Sequence, residues 1–439
     1  NKLKNKSCEE VRPIQVFRDS HPSHLIHNPH PHPHPHGFSV CLLHFSSHRS
    51  LSHFYEIMQL AEDPATVSWL KSLRRKIHEF PEMAFEEFKT SEVIRNELDR
   101  MKIRYRYPLA ITGVRAWIGT GKPPFVALRA DMDGLPIQEA VEWEHKSKLD
   151  GYMHACGHDA HVTMLLGAAM VLKRREHLLQ GTVFLIFQPA EEVGNGAKAV
   201  IDDGGIDDVE AIFAVHVSHQ YPTGVVGSRT GPLLAGCGFF QSVIKPNNPT
   251  GDSILAASMT IKTMQSIVSR EANPIDPNVV SVTTVTTVAD AVSIGGTFRS
   301  FYKDSFRFLK HRIQQIITEQ TAVFGCTATV DFFDDKSTTY PPTINDHDMY
   351  AHVRRVATTL LGEEMFVVVP QMMGAEDFAF YSDRLPAAYY FIGIRNETVG
   401  SVHSGHSPLF AIDEDALHVG AALHAAVAER YLNERNISN

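Results

Sequence analysis

The chain has 439 residues, of which 43% are hydrophobic and 21% charged, so it is long enough to form two or three globular domains. Its formal net charge of -9 argues against a nucleic-acid-binding surface, and no apolar run approaches the length of about 18 residues that spans a membrane. The five cysteines are widely spaced and do not form the pattern of a disulfide framework.

Residues 1–60 differ in composition from the rest of the chain. Ten of the 25 histidines lie between His21 and His53, and from Asn28 to His36 proline alternates with histidine. Alternating proline removes backbone donors and favours an extended chain, so we predict a disordered His/Pro-rich tail here. A histidine-rich metal buffer is the alternative interpretation of this segment.

From residue 61 the pattern becomes that of a folded α/β domain. Apolar spacing predicts helices over residues 66–78, 91–101, 161–172 and about 415–431. Short apolar runs predict strands over residues 125–129, 182–187, 211–217 and 388–394. Strands separated by helices predict a mixed sheet that is covered by helices on both faces.

The middle of the chain has a different order of elements. We predict a strand at residues 239–244, a helix at 253–269, strands at 279–288 and 292–299, a helix at 304–323 and a strand at 327–333. This β-α-β-β-α-β order is typical of a ferredoxin-like α+β domain. We therefore predict a discontinuous catalytic domain, residues 61–236 and 341–439, with a dimerisation or lid domain inserted at residues 237–340.

The segment from His154 to His161 is the strongest local signal for chemistry. It places one thiol and three imidazoles within eight residues, just ahead of a predicted helix. Cys156 and His158 are two residues apart on an irregular segment, so both can reach one metal ion. A thiolate with imidazoles suits Zn²⁺ or a related divalent ion. A buried cysteine with incidental histidines is the alternative, and for His154 and His161 the two interpretations are equally open.

Two adjacent carboxylates, Glu191 and Glu192, follow the predicted strand at residues 182–187. Like charges side by side raise each other's pKa, and a nearby cation relieves this repulsion. One carboxylate would then bind the cation while the other accepts a proton from water. An exposed acidic turn at the start of a helix is the alternative.

Further polar residues lie near the ends of other predicted strands or close to the C-terminus. They are Asp131, Asp133, His216, His403 and His406. Each of them alone is more often structural than functional. Together with the cysteine and the two glutamates, however, they lie where open α/β sheets keep their sites, at the carboxyl ends of the strands.

These segments resemble the plant auxin-conjugate amidohydrolases, the indole-3-acetic acid–amino acid hydrolases, which are relatives of bacterial hippurate hydrolases and aminoacylases. The resemblance runs from about residue 65 to residue 433, and it rests on residues 74–82, 130–136, 154–161, 188–192, 373–378 and 405–408. It implies hydrolysis of N-acyl amino acids, above all indole-3-acetic acid–amino acid conjugates, to free auxin and an amino acid.

The resemblance also implies a centre of two divalent metal ions, Mn²⁺ or Zn²⁺. The implied ligands are Cys156, His158, Glu192, His216 and His406, with the Cys156 thiolate bridging the ions. Glu191 is implied as the general base, which takes a proton from water and later protonates the leaving amine, and Asp133 as a residue that orients a ligand. Arg299 would hold the substrate carboxylate, although an ordinary surface charge at a strand end is equally open.

Two connections of the predicted inserted domain depart from the family pattern. The family carries a Gly-Gly-His-Ala segment whose histidine reaches a partner subunit's site and stabilises the oxyanion. Here residues 245–251 read Lys-Pro-Asn-Asn-Pro-Thr-Gly, and no histidine lies between His219 and His311. The family's Asn-x-Ile-Pro segment is also absent at residues 289–291. Because losing one oxyanion donor lowers turnover about a hundred- to a thousandfold, the alternative function is a catalytically silent relative that binds metal and conjugates without turnover.

The resemblance implies a small-molecule substrate, a homodimer formed through the inserted domain, and residence in the endoplasmic reticulum. Nothing in the sequence indicates a nucleic-acid or membrane partner. The sequence shows no clear secretory signal, and it ends in Asn-Ile-Ser-Asn rather than in a retention tail. The cellular location therefore stays an expectation from the resemblance.

Overall fold

The computed structural model describes residues 41–334 and 339–437. The chain divides into two units, residues 1–47 and residues 48–439. In the first unit, the described residues are the start of one helix. The second unit contains the remaining elements. In the described part of the chain, no helix is both long and apolar enough to cross a membrane.

The helices and strands alternate along most of the chain. The helices are α1 (Cys41–Glu62), α2 (Pro64–His78), α3 (Phe88–Arg100), α4 (His158–Arg174), α5 (Gly196–Asp202), α6 (Ser253–Ser266), α7 (Lys303–Val323), α8 (His347–Leu361), α9 (Ala379–Ser382) and α10 (Ala416–Ile437). The strands are β1 (Arg104–Leu109), β2 (Gly113–Gly119), β3 (Phe125–Asp131), β4 (Thr182–Gln188), β5 (Ala211–Pro222), β6 (Val226–Ser228), β7 (Gly231–Leu234), β8 (Gly236–Pro246), β9 (Asn278–Val288), β10 (Ala291–Ser300), β11 (Cys326–Asp331), β12 (Thr343–Asn345), β13 (Phe366–Val368) and β14 (Ala387–Arg395). Every helix and strand predicted from apolar spacing overlaps one of these elements.

The larger sheet has the strand order β1-β2-β4-β3-β5-β14-β6-β13. Its centre, β4-β3-β5-β14, is parallel, whereas β1 with β2, β2 with β4, and β14 with β6 are antiparallel. The predicted mixed sheet is therefore confirmed. Because the central strands are parallel, their carboxyl ends meet at one edge of the sheet.

Helices cover both faces of this sheet, as predicted. Val126 and Leu128 of β3 pack into a core that includes side chains of α2, α4 and α10. Ala127, between them in sequence, packs into a second core with Ala197 and Val200 of α5. Successive residues of a strand point to opposite faces, so β3 is buried on both sides and its sequence is almost continuously apolar.

The middle of the chain forms the predicted ferredoxin-like domain. Its four strands are antiparallel in the order β11-β8-β10-β9, and α6 and α7 pack against them. Its buried side chains form a cluster of their own, which extends along the chain from Phe240 to Phe332. The segments that join this domain to the rest of the chain meet at a backbone pair between Cys237 and Tyr340.

Helix α1 corrects part of the predicted N-terminal tail. Residues 41–60 were included in the disordered segment but belong to α1, where Phe54 and Ile57 are buried in the first core. Together with Ala61 they have the spacing of one helical face, a pattern that is obscured by the serines and histidines around them. Residues 1–40, with the His-Pro run, lie outside the described residues, and their tail stays a prediction.

Candidate metal centre

The residues predicted for the site meet at the carboxyl edge of the parallel strands. Asp133 follows β3, Glu191 and Glu192 follow β4, and His216 lies within β5. His158 is the first residue of α4, and Cys156 comes two residues before it. The fold therefore brings together side chains that are far apart in sequence because their strands end side by side.

Cys156, His158 and His216 form one group of possible metal ligands. Their donor atoms all lie within 4.8 Å of one another, and Sγ of Cys156 is 3.4 Å from Nε2 of His216. Nδ1 of His216 bonds to the carbonyl of Val217 at 2.7 Å, so Nδ1 carries the proton and Nε2 faces the thiol with a free lone pair. Burial lowers the pKa of His216 well below its usual value, which keeps the imidazole neutral, the form that binds metals.

Cys156, Glu192 and His406 form a second group, again with donor atoms within 4.8 Å of one another. Nε2 of His406 lies 3.2 Å from Oε1 of Glu192. The side chain of His406 is 55% exposed, so the centre opens to solvent on this side. Cys156 belongs to both groups, which is the position of a bridging ligand between two ions.

The donor atoms fit two divalent metal ions. Nε2 of His158 is buried and has no hydrogen-bond partner among the described residues, although buried polar atoms are almost always paired. This nitrogen lies 3.9 Å from Oε1 of Glu192, so the unpaired atom of the first group lies close to the carboxylate of the second. A thiolate, three imidazoles and a carboxylate are ligands that zinc and related divalent ions accept.

Two local backbone features position Cys156, His158 and His406. Gly157, between Cys156 and His158, has a φ of +89°, and a Cβ added there would lie 2.4 Å from Cγ2 of Val217. Only glycine therefore allows the tight entry into α4 that points both ligands the same way. His406 also has a positive φ of +62°, and its N–H is held by the carbonyl of Ala155 at 2.9 Å.

Asp133 contacts one residue of each group, His158 and Glu192, as well as Glu191. Its Oδ1 accepts the N–H of Glu191 at 3.1 Å and lies 3.1 Å from Nδ1 of His158, and its Oδ2 accepts the N–H of Glu192 at 3.0 Å. The carboxylate is 1% exposed. One buried anion thus fixes the tautomer of His158 and the backbone of both glutamates, the arrangement expected of a residue that orients ligands.

Glu191 lies beside the two groups that contain Cys156 and belongs to neither of them. Its carboxylate is within 4.8 Å of those of Glu376 and Asp377, and the N–H of Asp377 donates to its Oε1 at 3.4 Å. Burial, followed by repulsion from Glu376 and Glu192, raises the pKa of Glu191 well above its usual value. A carboxyl group with a raised pKa accepts a proton more readily than an ordinary glutamate does, as a general base requires.

A buried arginine behind the site was not predicted from the sequence. Arg129 of β3 donates to Asp131 at 2.5 Å, to Glu376 at 3.0 Å and to Asp377 at 2.9 Å. Its side chain is fully buried. It balances part of the negative charge that the carboxylates around Glu191 accumulate. The available signal was an arginine at the end of the apolar run at residues 125–128.

His161, left open by the sequence, contacts the backbone next to His216 rather than joining the groups around Cys156. Its Nε2 accepts the N–H of Val217 at 3.0 Å, so its Nδ1 carries the proton and donates to Asp131 at 2.5 Å. Val217 directly follows His216 in sequence, and the ring centroids of His161 and His216 are 4.5 Å apart. His161 thus holds the backbone beside His216.

The other histidines of the predicted motifs lie apart from the two groups. His154 is buried, and neither of its ring nitrogens has a partner among the described residues. Burial lowers its pKa to about 4, so the ring is neutral. His403 lies on the exposed loop that precedes His406.

Arg299 lies at the junction between the two domains. It is half-buried on β10, and its Nη1 donates to the carbonyl of Met373 at 2.5 Å. Met373 comes three residues before Glu376, which borders Glu191. Arg299 therefore links the inserted domain to the segment from Met373 to Glu376. It makes no hydrogen bond among the described residues to the two groups of possible metal ligands.

Comparison with known proteins identifies the family. The sequence profile of peptidase family M20/M25/M40 matches residues 127–430. The IAA-amino acid hydrolase ILR1-like 6 of Arabidopsis thaliana is 64% identical over 389 residues, which are 87% of this chain and 84% of that protein. Thermostable carboxypeptidase 1 of Saccharolobus solfataricus is 34% identical over 385 residues, or 83% of this chain and 96% of that protein.

A solved structure agrees with these sequence relatives. The YXEP protein of Bacillus subtilis, described as a dinuclear metal binding peptidase from the M20 family, is 34% identical and superposes with a TM-score of 0.75. The match covers 84% of this chain and 99% of the Bacillus chain. The chain belongs to peptidase family M20/M25/M40.

Proposed function

We propose that the protein is a metal-dependent amidohydrolase of N-acyl amino acids and that conjugates of indole-3-acetic acid with amino acids are its substrates. The observation that carries the proposal is the two donor groups that share Cys156 beside the buried carboxyl group of Glu191. The name of the 64% identical Arabidopsis relative supports this substrate class. Release of alanine from N-(indole-3-acetyl)-alanine tests it, with Glu191→Gln as the inactive control. Release no faster than that of the variant contradicts it.

In this proposal the residues of the centre divide the work of hydrolysis. Two divalent ions bound by the ligand set would polarise the scissile carbonyl and lower the pKa of water. Glu191 accepts a proton from the attacking water and returns it to the nitrogen of the leaving amino acid. Asp133 keeps Glu191 and His158 in place through the three hydrogen bonds of its carboxylate.

We propose Mn²⁺ or Zn²⁺ as the metal, with Cys156, His158 and His216 on one ion and Cys156, Glu192 and His406 on the other. Elemental analysis of the purified protein should find two ions per chain. Cys156→Ser removes the ligand common to both groups and should lower this stoichiometry. Cys326→Ser, whose thiol is buried in the inserted domain, is the matched control. Unchanged stoichiometry in Cys156→Ser removes this cysteine from the ligand set.

We propose that Arg299 binds the carboxylate of the amino-acid part of the substrate. Its contact with Met373, on the segment that continues to Glu376 beside Glu191, supports this role. Arg299→Lys loses the planar fork of donors and should raise KM about tenfold for the free acid but little for the corresponding amide. Arg307→Lys, 74% exposed on α7, is the control. An equal effect on acid and amide contradicts the role.

A catalytically silent relative is the second candidate, and the short connections of the inserted domain favour it. Strand β8 ends at Pro246 and α6 begins at Ser253, and Ala289 and Asp290 alone form the turn between β9 and β10. The first connection lacks the histidine, and the second lacks the Asn-x-Ile-Pro segment, that the family resemblance leads one to expect. Equilibrium binding of N-(indole-3-acetyl)-alanine without turnover supports this candidate, and turnover well above the Glu191→Gln background contradicts it.

We propose that two copies pair through the inserted domain. Strand β9 is an edge strand of eleven residues that contains no charged residue and no proline, features that natural edge strands use to prevent pairing. Light scattering on the eluted protein should give the mass of a dimer. Val285→Lys places a charge on this strand and should yield monomers, while Val323→Lys on α7 should not. A monomeric wild type contradicts the proposal.

We also propose, from the family resemblance, that the protein resides in the endoplasmic reticulum. A fluorescent fusion of the full-length protein, imaged with a marker of that compartment, tests the location. A distribution that does not follow the marker contradicts it.

A further inference from the structure

The two segments that join the inserted domain to the rest of the chain pair with each other. The N–H of Cys237 donates to the carbonyl of Tyr340 at 3.0 Å, and the N–H of Tyr340 donates to the carbonyl of Cys237 at 2.8 Å. Cys237 lies in β8, which enters the inserted domain, and Tyr340 lies where the chain returns from it. This reciprocal pair fixes the backbone of Tyr340 at the junction of the two domains.

The side chain of Tyr340 packs on the turn that carries Glu191. A Cβ added at Gly194 would lie 2.3 Å from Cζ, 2.4 Å from the hydroxyl oxygen and 2.6 Å from Cε2 of Tyr340. These distances are far below van der Waals contact, so the ring occupies space that only glycine leaves free. Gly194 also has a φ of +82°, which favours glycine for a second reason. The turn from Glu191 to Gly194 is therefore matched to an aromatic ring.

The hydroxyl group of Tyr340 also reaches the backbone of Glu191. It donates to the carbonyl of Glu191 at 3.5 Å, and the same carbonyl accepts the N–H of Gly194 at 2.9 Å, which closes the turn. On its other side, the N–H of Glu191 is held by Asp133 at 3.1 Å. The backbone N–H of Glu191 is thus held by Asp133, which follows β3 of the larger sheet, whereas its carbonyl is held by Tyr340 at the domain junction.

We propose that Tyr340 is a positioning residue for Glu191, which it holds by anchoring the turn from Glu191 to Gly194 at the junction between the domains. Tyr340 lies outside the ligand set, and its effect passes through the backbone of the turn. The inference rests on the proposed role of Glu191 as the general base. It adds that the placement of this base depends on the connection to the inserted domain.

Tyr340→Phe tests the proposal in the full chain loaded with Mn²⁺. The variant keeps the ring and removes the hydroxyl group, so kcat for N-(indole-3-acetyl)-alanine should fall about three- to tenfold, the effect of one neutral hydrogen bond. KM, metal content and Tm should stay unchanged. A merely structural role of the hydroxyl group would instead lower Tm. Tyr302→Phe, 40% exposed in the inserted domain, is the matched control. A kcat equal to that of the control overturns the proposal.

Hydrogen exchange gives a readout that does not need turnover. In Tyr340→Phe the amides of residues 189–197 should exchange faster than in wild type and in Tyr302→Phe, because the turn loses its contact with the junction. If the wild type hydrolyses no conjugate, the proposed function fails, and exchange alone decides the role of Tyr340. Unchanged exchange in this segment then overturns it, while faster exchange confined to this segment supports it.

Discussion

Replacing Asp133 by asparagine tests whether one buried carboxylate holds the base and two ligands together. Its oxygens accept the N–H groups of Glu191 and Glu192, and Oδ1 lies 3.1 Å from Nδ1 of His158. His158 must donate through Nδ1 if its Nε2 binds a metal ion. Every partner of the carboxylate is then a donor. Asparagine keeps the shape but puts an NH₂ group against one of them, and the charge is lost.

The size of the effect follows from these three contacts. A hydrogen bond to a charged group contributes about 1.5–3 kcal/mol, and the substitution removes at least one and weakens the others. Changes in the residues that orient metal ligands lower metal affinity or activity about 10–100-fold. We therefore expect Asp133→Asn to bind Mn²⁺ about 10–100-fold more weakly and to lose at least as much kcat, because Glu191 moves together with Glu192.

Titration calorimetry of chelator-treated protein with Mn²⁺ measures the first effect, and steady-state hydrolysis at saturating Mn²⁺ measures the second. Asp150→Asn is the matched control, since Asp150 is exposed. If Asp133→Asn keeps both the affinity and kcat of the control, the three contacts do not hold the centre, and the reasoning is wrong.

Three further substitutions probe the surroundings of the centre. Burial raises the pKa of Glu87 to about 7, above the value of about 4.3 in an unfolded chain, so the folded state loses stability as pH rises through this window. In chelator-treated protein, Glu87→Gln should remove this loss and stabilise the fold by up to about 3 kcal/mol at pH 8, as measured by urea unfolding. A pH dependence of the unfolding free energy equal to that of the wild type would contradict this prediction. Gly157→Ala should lower the free energy of unfolding by about 1–3 kcal/mol and weaken Mn²⁺ binding, because the Cβ of the alanine would lie 2.4 Å from Cγ2 of Val217. An unfolding free energy equal to that of the wild type would show that the start of α4 does not require glycine. Asp159→Ala removes the carboxylate that lies 2.7 Å from the buried Arg74 and leaves this arginine only the longer 3.5 Å contact with Glu414 as an ion pair among the described residues. The substitution should cost about 3–5 kcal/mol in the same unfolding assay, whereas a loss below about 1 kcal/mol would contradict a stabilising buried ion pair.

The elements that the sequence analysis did predict were recognisable because burial imposes a strong period on their sequences. Strand β4 is apolar on both faces and reads as a short continuous run, while α2 shows one apolar stripe. Strand β1 was missed because it lies at an edge of the sheet, where Arg104, Tyr105 and Arg106 alternate between exposed and half-buried positions. At an edge, tertiary contacts rather than apolar spacing determine the strand.

The composition of the site was predictable in part, and its geometry was not. The segment from His154 to His161 marked a cluster of donors, but sequence spacing did not separate the roles of its histidines. The separation depends on which ring nitrogens other parts of the fold occupy. Both nitrogens of His161 are used, by Asp131 and by the backbone after β5, whereas Nε2 of His158 has no partner among the described residues.

We expect metal binding and turnover to depend on different parts of this molecule. In the described part of the chain, the donor atoms of both groups come from the catalytic domain, so the short connections of the inserted domain do not remove a ligand. The inserted domain still reaches the reacting side of the centre, through Arg299 and through the junction at Tyr340. A change at Arg299 should therefore alter KM and a change at Tyr340 should alter kcat, while Mn²⁺ stoichiometry stays at its wild-type value. A change at Asp133, by contrast, should lower both Mn²⁺ affinity and kcat, because this carboxylate contacts two proposed ligands and the proposed base.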